Sequence, residues 1–482
     1  MKFFLSFLIF ICICELTAQE NLFRLFGGDK NDVGNTIIKK TDGAGYLIGG
    51  STRSFGNGSS DYFILDLDNN LEVNFQQTYG SPYFEDIKSI LIFKNNYYLF
   101  GNSSITSQNG DLDFNTTIVN PLGEVLEIHT IRKTFIDVAY KAVKTSDNNY
   151  LTIGLSRSSQ LDNIHGQSKL YKMSPEGNVL LEKDYGERSI RDYGFDIIET
   201  QLGYLILSNL HCEVGLMAGF PMMKEPSSVS LLQTDFNGDT IWEYIYPGQD
   251  FDYAYSMVQL KRHIYVAMNT RSGNSKSFDV KVLKIDLQGH LVDSFSFGGN
   301  DFEYANKIIA DSKGDLLICG TTASYSERPS FYTVKFDTLG LTKWEKVVSG
   351  NASIYANDVF EKNNSNYLFT GNYIFNPDNS DIFVLELNED GMVVPPQDGI
   401  YDKEALEIYP NPTYRSSILK LSKKKIKSIE IFNLNSKMVF QKEYLGDSKS
   451  VVINFEQFKS GLYIVSISDV EGNTINGKIS VL

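Results

Sequence analysis

The stretch "NYLTIG" at residues 149–154 decides the fold, because close variants of it return along the chain. They read "GYLIGG" at 45–50, "NYYLFG" at 96–101, "GYLILS" at 203–208, "DLLICG" at 315–320 and "NYLFTG" at 366–371. The equivalent positions are Tyr46, Tyr97, Tyr150, Tyr204, Ile264, Leu316 and Tyr367, separated by 51, 53, 54, 60, 52 and 51 residues. Seven copies at a period near 50 residues indicate a propeller or a solenoid.

Within each copy, short apolar runs alternate with turn residues. The first copy reads "NTIIKK", "TDGAG", "YLIGG", "STRSFGNGSS", "DYFILDL", "DNN" and "EVNFQQTY". Apolar runs of this length, without a helical period, indicate an antiparallel meander of four strands. The copies therefore predict an all-β protein, a seven-bladed β-propeller over residues 19–394.

The two ends of the repeat region predict how the ring closes. The last copy reaches "DIFVLEL" at 381–387 but meets Pro395 and Pro396 before a fourth strand, and proline cannot donate to a strand ladder. The N-terminal stretch "NLFRLFGG" at 21–28 matches the fourth-strand pattern of the other copies and has no first three strands of its own. We therefore expect residues 22–27 to complete the blade that begins near Asn357.

Composition excludes some classes of partner. The chain has 482 residues, of which 42% are apolar and 21% charged, as in a folded protein. Its net charge of -15 argues against a nucleic-acid or anionic-membrane partner, since both need a basic surface. After the N-terminal segment, no apolar stretch is long enough to form a transmembrane helix.

The N-terminus has the pattern of a secretory signal. One lysine is followed by an apolar run from Phe3 to Cys14 and by small residues around Ala18, so residues 1–18 are predicted to be a cleaved signal peptide. Cys212 and Cys319 then remain, in different repeats and different repeat frames. We expect two partly buried thiols rather than a disulfide.

Each copy opens on one residue before an apolar and a small residue, and it is acidic in all but the last. The set is Asp32, Asp86, Asp137, Asp192, Asp252 and Glu303, with Ile354 in the seventh copy. The carboxylates could gather at the channel mouth as a cation site, or accept backbone N–H bonds at the start of each inner strand. A residue type that recurs in nearly every copy is expected to have a structural role that all copies share, so the second interpretation is preferred.

A binding site should instead differ between copies. The fourth copy has the longest interval, 60 residues, and the loop "NLHCEVGLMAGFPMMKEPSSVS" at 209–230. Methionine and aromatic side chains on a long loop form an adaptable apolar contact surface. The candidate ligand-binding residues are His211, Met217, Phe220, Met222 and Met223. The alternative is an insertion that folds onto its own blade.

No catalytic pattern is present in the sequence. The five histidines never pair at metal-ligand spacing, and no nucleophile elbow, phosphate loop or dinucleotide fingerprint occurs in a strand-to-helix context. The stretch "DLDNN" at 66–70 begins like a calcium loop but lacks its glycine and distal glutamate. We therefore predict no catalytic residue, metal or cofactor.

The character of the sequence changes after Pro395. A linker at 395–404 precedes a segment of short strands at 405–482, with "IYPNPT" at 408–413, "IKSIEIFNLNSKMV" at 426–439, "INFEQFKSGLYIVSI" at 453–467 and "GKISVL" at 477–482. These stretches resemble the C-terminal sorting domain, type A, of the bacterial type IX secretion system. The motif residues are Tyr409, Pro410, Asn411, Pro412, Gly461, Tyr463 and Lys478, while Ser436 stands where the family usually has glycine.

The resemblance implies a small C-terminal β-sandwich that takes a folded cargo from the periplasm across the outer membrane, with the secretion machinery as partner. Such domains are often removed there, which leaves the cargo released or attached to the cell surface. The repeats are similar to propeller cargo common in these bacteria. Two functions follow: a secreted or cell-surface binding module for a glycan or protein, or a polysaccharide-degrading or other hydrolytic enzyme with a site built from several blades. A rigid framework that varies in its loops favours binding.

Overall fold

The computed structural model describes most of the chain after the predicted signal peptide. The described residues are 22–104, 112–131, 136–157, 166–186, 192–210, 214–217, 220–223, 227–246, 251–271, 277–363, 365–395, 406–409, 411–421, 424–433, 437–445, 448–472 and 474–481. Regular structure in them consists of β-strands. No helix in these ranges is long and apolar enough to cross a membrane. The predicted signal peptide, residues 1–18, lies outside them.

Seven four-stranded antiparallel sheets follow one another between residues 22 and 395. The chain begins with β1 (Arg24–Phe26). The first blade contains β2 (Asp32–Lys39), β3 (Tyr46–Thr52), β4 (Asp61–Leu67) and β5 (Val73–Tyr79). The second contains β6 (Glu85–Phe93), β7 (Asn96–Ser104), β8 (Leu112–Val119) and β9 (Val125–Ile131). The third contains β10 (Ile136–Lys144), β11 (Tyr150–Arg157), β12 (Gln167–Met173) and β13 (Val179–Tyr185).

The remaining blades repeat this plan. The fourth contains β14 (Tyr193–Glu199), β15 (Tyr204–Leu210), β18 (Ser228–Thr234) and β19 (Thr240–Tyr246), with β16 (Val214–Met217) and β17 (Phe220–Met223) inserted. The fifth contains β20 (Asp252–Leu260), β21 (His263–Thr270), β22 (Asp279–Asp286) and β23 (Leu291–Phe297). The sixth contains β24 (Glu303–Ala310), β25 (Leu316–Thr322), β26 (Ser330–Phe336) and β27 (Thr342–Val348). The seventh contains β28 (Ser353–Glu361), β29 (Tyr367–Asn376) and β30 (Asn379–Leu387), and β1 is its fourth strand.

The N-terminal strand closes the ring as predicted. Strand β1 pairs antiparallel with β30, with Arg24 opposite Val384 and Phe26 opposite Ile382. The preceding Phe23 is fully buried, and its ring centroid lies 5.4 Å from that of Phe383. Strands from the two ends of the propeller region share one sheet, which holds the first and last blades together. The all-β propeller predicted from the sequence is confirmed.

The repeat decides the core because its central strands are buried on both faces. Strand β4 is buried along its whole length, whereas β9, the outermost strand of the second blade, is mostly exposed. The repeat positions that defined the period begin or nearly begin the second strands and are at most 3% exposed: Tyr46, Tyr97, Tyr150, Tyr204, Ile264, Leu316 and Tyr367. Apolar burial of this kind is the main stabilising term of the fold.

Buried asparagines join neighbouring blades. Asn102 accepts a hydrogen bond from the backbone N–H of Ala139 in the next blade (2.7 Å) and donates one to its carbonyl (3.2 Å). The same two bonds join Asn209 to Ala254. They also join Asn269 to Ala305. Each amide satisfies the backbone at a place where the ladder of the first strand is interrupted.

That interruption is a β-bulge in the first strand of every blade. The register shifts between Ala139 and Lys141 in the third blade and between Gly194 and Asp196 in the fourth. The residues directly after the bulges are Thr36, Ser89, Lys141, Asp196, Ser256, Lys307 and Asp358. First strands of adjacent blades contact one another, so they form the inner ring of the propeller.

The C-terminal segment folds as the small β-sandwich that was predicted. One sheet contains β31 (Leu406–Tyr409), β32 (Ser416–Leu421) and β35 (Ser450–Asn454). The other contains β33 (Ile426–Asn433), β34 (Met438–Glu443), β36 (Gly461–Asp469) and β37 (Thr474–Val481). Leu419, Ile429 and Val465 are fully buried between the sheets. The exact boundaries at 394 and 404 stay predictions, since residues 396–405 lie outside the described ranges.

Candidate functional site

The insertion in the fourth blade forms a β-hairpin. Strands β16 and β17 pair antiparallel in a two-stranded sheet of their own, separate from the four strands of the blade. Met217 lies opposite Phe220, Gly215 opposite Met222 and Val214 opposite Met223. The backbone thus brings together four of the five predicted ligand-binding residues. Their side chains and the whole of His211 lie outside the described part of the structure, so the binding role stays a prediction.

The acidic residues at the start of each copy are part of the framework. Asp32 is fully buried and accepts hydrogen bonds from the backbone N–H of Gly28 (2.8 Å) and from the hydroxyl of Ser54 (2.7 Å). Glu303, also fully buried, accepts from the backbone N–H of Gly299 (2.8 Å). The expectation that these carboxylates accept backbone N–H bonds is confirmed for both.

In the second blade the predicted residue is wrong by one position. Asp86 was expected to hold the repeat position, but Glu85 lies two residues before the bulge, as Asp32 does in the first blade. Glu85 accepts a hydrogen bond from the backbone N–H of Ser81 (3.1 Å). Asp86 instead accepts one from the side chain of Asn102 (2.9 Å). Since residues alternate between faces along a strand, a shift of one residue reverses the direction of the side chain.

The inner ring contains a cluster of four charged side chains that the sequence did not single out. Asp358 accepts a hydrogen bond from the backbone N–H of Ile37 in the next blade (3.0 Å), and Asp196 accepts one from Met257 (2.9 Å). The amines of Lys141 and Lys307 influence each other electrostatically, and the carboxylates of Asp196 and Asp358 influence both amines. Two positive and two negative charges thus balance at the centre of the propeller.

The two lysines respond differently to this environment. The neighbouring charge of Lys307, with burial, lowers the pKa of Lys141. Burial alone would lower the pKa of Lys307 as well, but the attraction of Asp196 and Asp358 outweighs it, so that pKa is raised. An amine with a lowered pKa can act as a nucleophile. Here, however, the two amines face two carboxylates of opposite charge, which is the arrangement of a buried ion network that holds a structure together.

Cys319 is buried behind this cluster. It is fully inaccessible, and burial raises the pKa of its thiol well above the ordinary value, helped by the negative charge of Asp358. A protonated, inaccessible thiol is a poor nucleophile and a poor metal ligand. Cys212 lies outside the described residues.

Metal-ligating side chains do not converge in the described ranges. No group of three or more histidine, cysteine, aspartate and glutamate side chains there is arranged to hold a metal ion. His129 pairs with Glu127 (2.9 Å) and His290 with Asp286 (3.1 Å), each within a single strand or hairpin turn at the surface.

The predicted sorting-motif residues form one structural unit in the C-terminal domain. Asn411 is 3% exposed; its side chain donates to the carbonyl of Lys478 (2.8 Å) and accepts from the backbone N–H of Ser480 (2.9 Å). The Asn411–Pro412 peptide bond is cis. These bonds fasten "IYPNPT" to the last strand of the domain. Pro410 lies outside the described residues.

The other motif residues shape the sheet that contains β36. Gly461 begins this strand with a φ of 149°, a backbone conformation that residues with a Cβ rarely adopt. The Tyr463 hydroxyl donates to the carbonyl of Lys459 (2.7 Å), and its ring packs edge-on against Phe458 at 5.3 Å. Asn411, Gly461 and Tyr463 therefore stabilise the sandwich itself.

The C-terminal domain also contacts the first blade. The backbone N–H of Thr78, on the outermost strand β5, donates to the carbonyl of Asn411 (3.3 Å). The ring of Tyr409 lies 5.7 Å from that of Phe55, and the amine of Lys478 lies 5.8 Å from the ring of Phe75. The outermost strand of a sheet has a row of unpaired backbone N–H and C=O groups, and the C-terminal domain covers part of this edge on β5.

Comparison with known families identifies the C-terminal domain. Residues 407–481 match the family model described as "Secretion system C-terminal sorting domain". This part of the chain is thus a type IX sorting domain, as the resemblance implied. It indicates export to the cell surface or secretion, and it implies interaction with the type IX secretion machinery.

Solved structures with related folds show only distant likeness. They include an acylaminoacyl peptidase from Pyrococcus horikoshii, which is 9% identical with a TM-score of 0.42. The alignment covers 83% of this chain and 59% of the peptidase. Puromycin hydrolase complexed with PGG is 8% identical with a TM-score of 0.46, covered to 59% against 82% of this chain. Sqt1 from Chaetomium thermophilum is 8% identical with a TM-score of 0.40, covered to 99% against 75% of this chain.

This chain therefore spans 59% of the length of the two hydrolases that it matches. Likeness at this level carries no argument about activity. No curated protein matches the chain.

Proposed function

We propose that this protein is a type IX cargo that binds an extracellular glycan or protein ligand through the hairpin of its fourth blade. The observation behind the proposal is that β16 and β17 form a separate sheet between two strands of one blade. The domain at residues 407–481 supports delivery of this propeller through the periplasm and across the outer membrane.

The comparison between blades supports a role for the hairpin outside the framework. The second and third strands are joined by residues 323–329 in the sixth blade and by residues 377–378 in the seventh. In the fourth blade the same connection runs over residues 211–227 and includes two additional strands. The ring closes at the sixth and seventh blades without such an insertion, so the propeller does not need it. Binding residues concentrate on loops that a rigid framework holds in place.

The residues of the hairpin indicate the chemistry of the ligand. Met217, Phe220, Met222 and Met223 offer polarizable and aromatic groups, which pack against apolar surfaces of varied shape. The apolar faces of sugar rings and the apolar side chains of a protein both fit this description. The net charge of -15 works against a polyanionic ligand.

The test uses the full chain from residue 19 on a glycan array and on immobilised extracellular proteins. In one variant, residues 211–227 are replaced by the seven residues "ASYSERP" of the sixth blade, 323–329. Loss of binding in this variant, with an unchanged melting temperature, supports the proposal. The control replaces Leu126 and Ile128, exposed apolar residues of β9, by serine and is expected to bind normally.

Two outcomes would contradict the proposal. Binding that survives the loop replacement places the ligand elsewhere on the propeller. Shortening of a bound glycan would instead support the alternative function, a polysaccharide-degrading or other hydrolytic enzyme.

A further inference from the structure

The junction between the first and second blades holds a buried pair of carboxylates. Asp61 begins β4 and is 2% exposed, while Glu85 begins β6 and is 4% exposed. A backbone bridge clamps the two segments together: the N–H of Glu85 donates to the carbonyl of Ser60 (2.8 Å), and the Ser60 hydroxyl donates to the carbonyl of Glu85 (3.2 Å). The position of both side chains is therefore fixed by the fold.

One oxygen of this pair lacks a partner. Asp61 Oδ2 accepts from the backbone N–H of Gly58 (2.9 Å), and Glu85 Oε1 accepts from the backbone N–H (3.1 Å) and hydroxyl (2.5 Å) of Ser81. Glu85 Oε2 is buried and has no hydrogen-bond partner among the described residues. A buried carboxylate oxygen without a partner is costly, because it has lost its water and gained nothing in exchange.

Gly80 leaves space between the two carboxylates. A Cβ atom on this residue would lie 2.2 Å from Asp61 Oδ1 and 2.9 Å from Glu85 Oε2. Both oxygens therefore lie close to one point beside Gly80, and only a residue without a Cβ fits there. Calcium binds oxygen ligands at about 2.3–2.6 Å, so two oxygens this close to each other can share one ion.

The charge of the pair is not balanced by a basic side chain. The two carboxylates are buried next to each other, and no lysine or arginine in the described part of the chain is among the groups that influence either of them. A divalent cation bound to both would neutralise the pair.

We propose that Asp61 Oδ1 and Glu85 Oε2 bind one divalent cation, with calcium as the best fit. Two carboxylates match its charge, and oxygen is its preferred ligand. Backbone carbonyls and water complete the coordination, as calcium allows. This site is distinct from the hairpin of the fourth blade and does not depend on the ligand proposed there. It is also distinct from "DLDNN" at 66–70, which lies at the β4–β5 turn.

A related pair at the junction of the fifth and sixth blades differs in one respect. A Cβ on Gly298 would approach Glu303 Oε2 at 2.5 Å and Asp279 Oδ1 at 3.3 Å, so a carboxylate pair recurs there. However, both oxygens of Glu303 accept hydrogen bonds, Oε2 from Gly299 and Oε1 from Thr322. The junction of Asp61 and Glu85 differs from this one because Glu85 Oε2 has no hydrogen-bond partner among the described residues, so we expect stronger cation binding at Glu85 than at Glu303.

The experiment titrates calcium chloride into the full chain from residue 19 after treatment with a chelator, by isothermal titration calorimetry and by thermal unfolding. Binding at one site and a rise in melting temperature are expected. Glu85→Gln removes the free carboxylate oxygen and should weaken calcium binding by more than about tenfold. Gly80→Ala keeps both carboxylates but fills the space between them, and it should weaken binding similarly.

The matched control is Glu303→Gln, which alters the related pair and should leave the strong site intact. Absence of calcium binding by the unaltered chain would overturn the proposal and leave a shared proton as the neutralising species. Retention of full affinity in both Glu85→Gln and Gly80→Ala would overturn the assignment to this junction. The melting temperature of each variant in chelator reports folding separately from binding.

Discussion

Lys141 in the third blade and Lys307 in the sixth are buried close enough at the centre of the propeller for each amine to influence the charge of the other. Their pKa values move in opposite directions, because Lys307 charge lowers that of Lys141 while Asp196 and Asp358 raise that of Lys307. Both amines are needed to balance the two carboxylates, but the charged form of Lys307 is favoured in the folded protein and that of Lys141 is disfavoured. The four charged residues that follow the bulges, Lys141, Asp196, Lys307 and Asp358, thus balance one another's charge across the ring.

Lys307→Met should destabilise the protein far more than Lys141→Met. Removing Lys307 takes away the amine whose charge the two carboxylates stabilise, and breaking a buried ion pair costs about 3–5 kcal/mol. Removing Lys141 leaves Lys307 beside the same carboxylates and relieves the repulsion between the two amines, so a smaller loss of stability is expected. Urea unfolding of both variants at pH 7 measures the difference.

The raised pKa of Lys307 fixes the sign of its pH dependence. Its stabilising contribution is complete below the ordinary lysine pKa and is lost as the pH rises through the higher folded value. Equal losses of stability in the two variants would contradict this division of roles.

Phe23→Ala should weaken the closure of the ring. Phe23 is fully buried and its ring packs edge-on against Phe383. Truncation of a buried phenylalanine costs about 3–5 kcal/mol. Chemical unfolding measures this loss, and Leu339→Ala, at a side chain that is 68% exposed, is the control with little expected effect. A change below about 0.5 kcal/mol for Phe23→Ala would argue against a ring closed by the N-terminal strand.

The strands could be predicted because they follow from the local pattern of apolar and turn residues. The closure of the ring could be predicted because the last copy lacks a fourth strand and the N-terminus has one to spare. The apolar runs that recur with a period near 50 residues and the spare strand at 21–28 are visible without coordinates. The bulges are not visible, because they insert one residue without a sequence signal of their own. Asp86 is wrong for the repeat position that Glu85 holds because two acidic residues are adjacent there, and the sequence does not show which of them lies two residues before the bulge. The difference matters since neighbouring residues of a strand point to opposite faces.

The polar sites required coordinates for a different reason. Lys141 and Lys307 are three blades apart, and only closure of the ring brings them together. Whether Asp61 and Glu85 can bind a ligand together depends on which of their carboxylate oxygens already accept hydrogen bonds from the loops between the blades. Periodicity reveals where acidic residues recur, but it does not reveal which of them lacks a hydrogen-bond donor.

Tyr409→Ala should loosen the C-terminal domain from the first blade. An aromatic pair such as Tyr409 and Phe55 contributes about 0.5–1.5 kcal/mol beyond its buried area, which corresponds to as much as a ~tenfold change in the docking equilibrium. We expect faster cleavage in the linker 395–404 under limited proteolysis, with an unchanged melting temperature of the propeller. Tyr414→Ala, at a side chain that is 75% exposed, is the control in the same domain. Identical cleavage rates for both variants would show that this contact does not hold the domains together.

Cys319 should be unreactive in the folded protein. The thiol is fully buried and its pKa is raised by burial, so neither access nor ionisation favours reaction. In a chain from residue 19 with Cys212→Ser, we expect labelling by a thiol reagent to be slower than in denaturant by more than about a hundredfold. Rapid labelling without denaturant would mean that the centre of the propeller opens to solvent.

Stability should depend on pH through Asp61 and Glu85. Because the folded pKa values are raised to about 6 and about 7, the folded protein holds these protons more tightly than the unfolded chain. Their contribution to stability is therefore complete below the ordinary carboxyl pKa and is lost as the pH rises through the folded values. In chelator, the stability of the unaltered chain should fall between about pH 5 and pH 8 more steeply than that of Glu85→Gln. Calcium binds the ionised pair, so in saturating calcium this difference in slope should shrink. Equal slopes in chelator would mean that the two carboxylates are neutralised in another way.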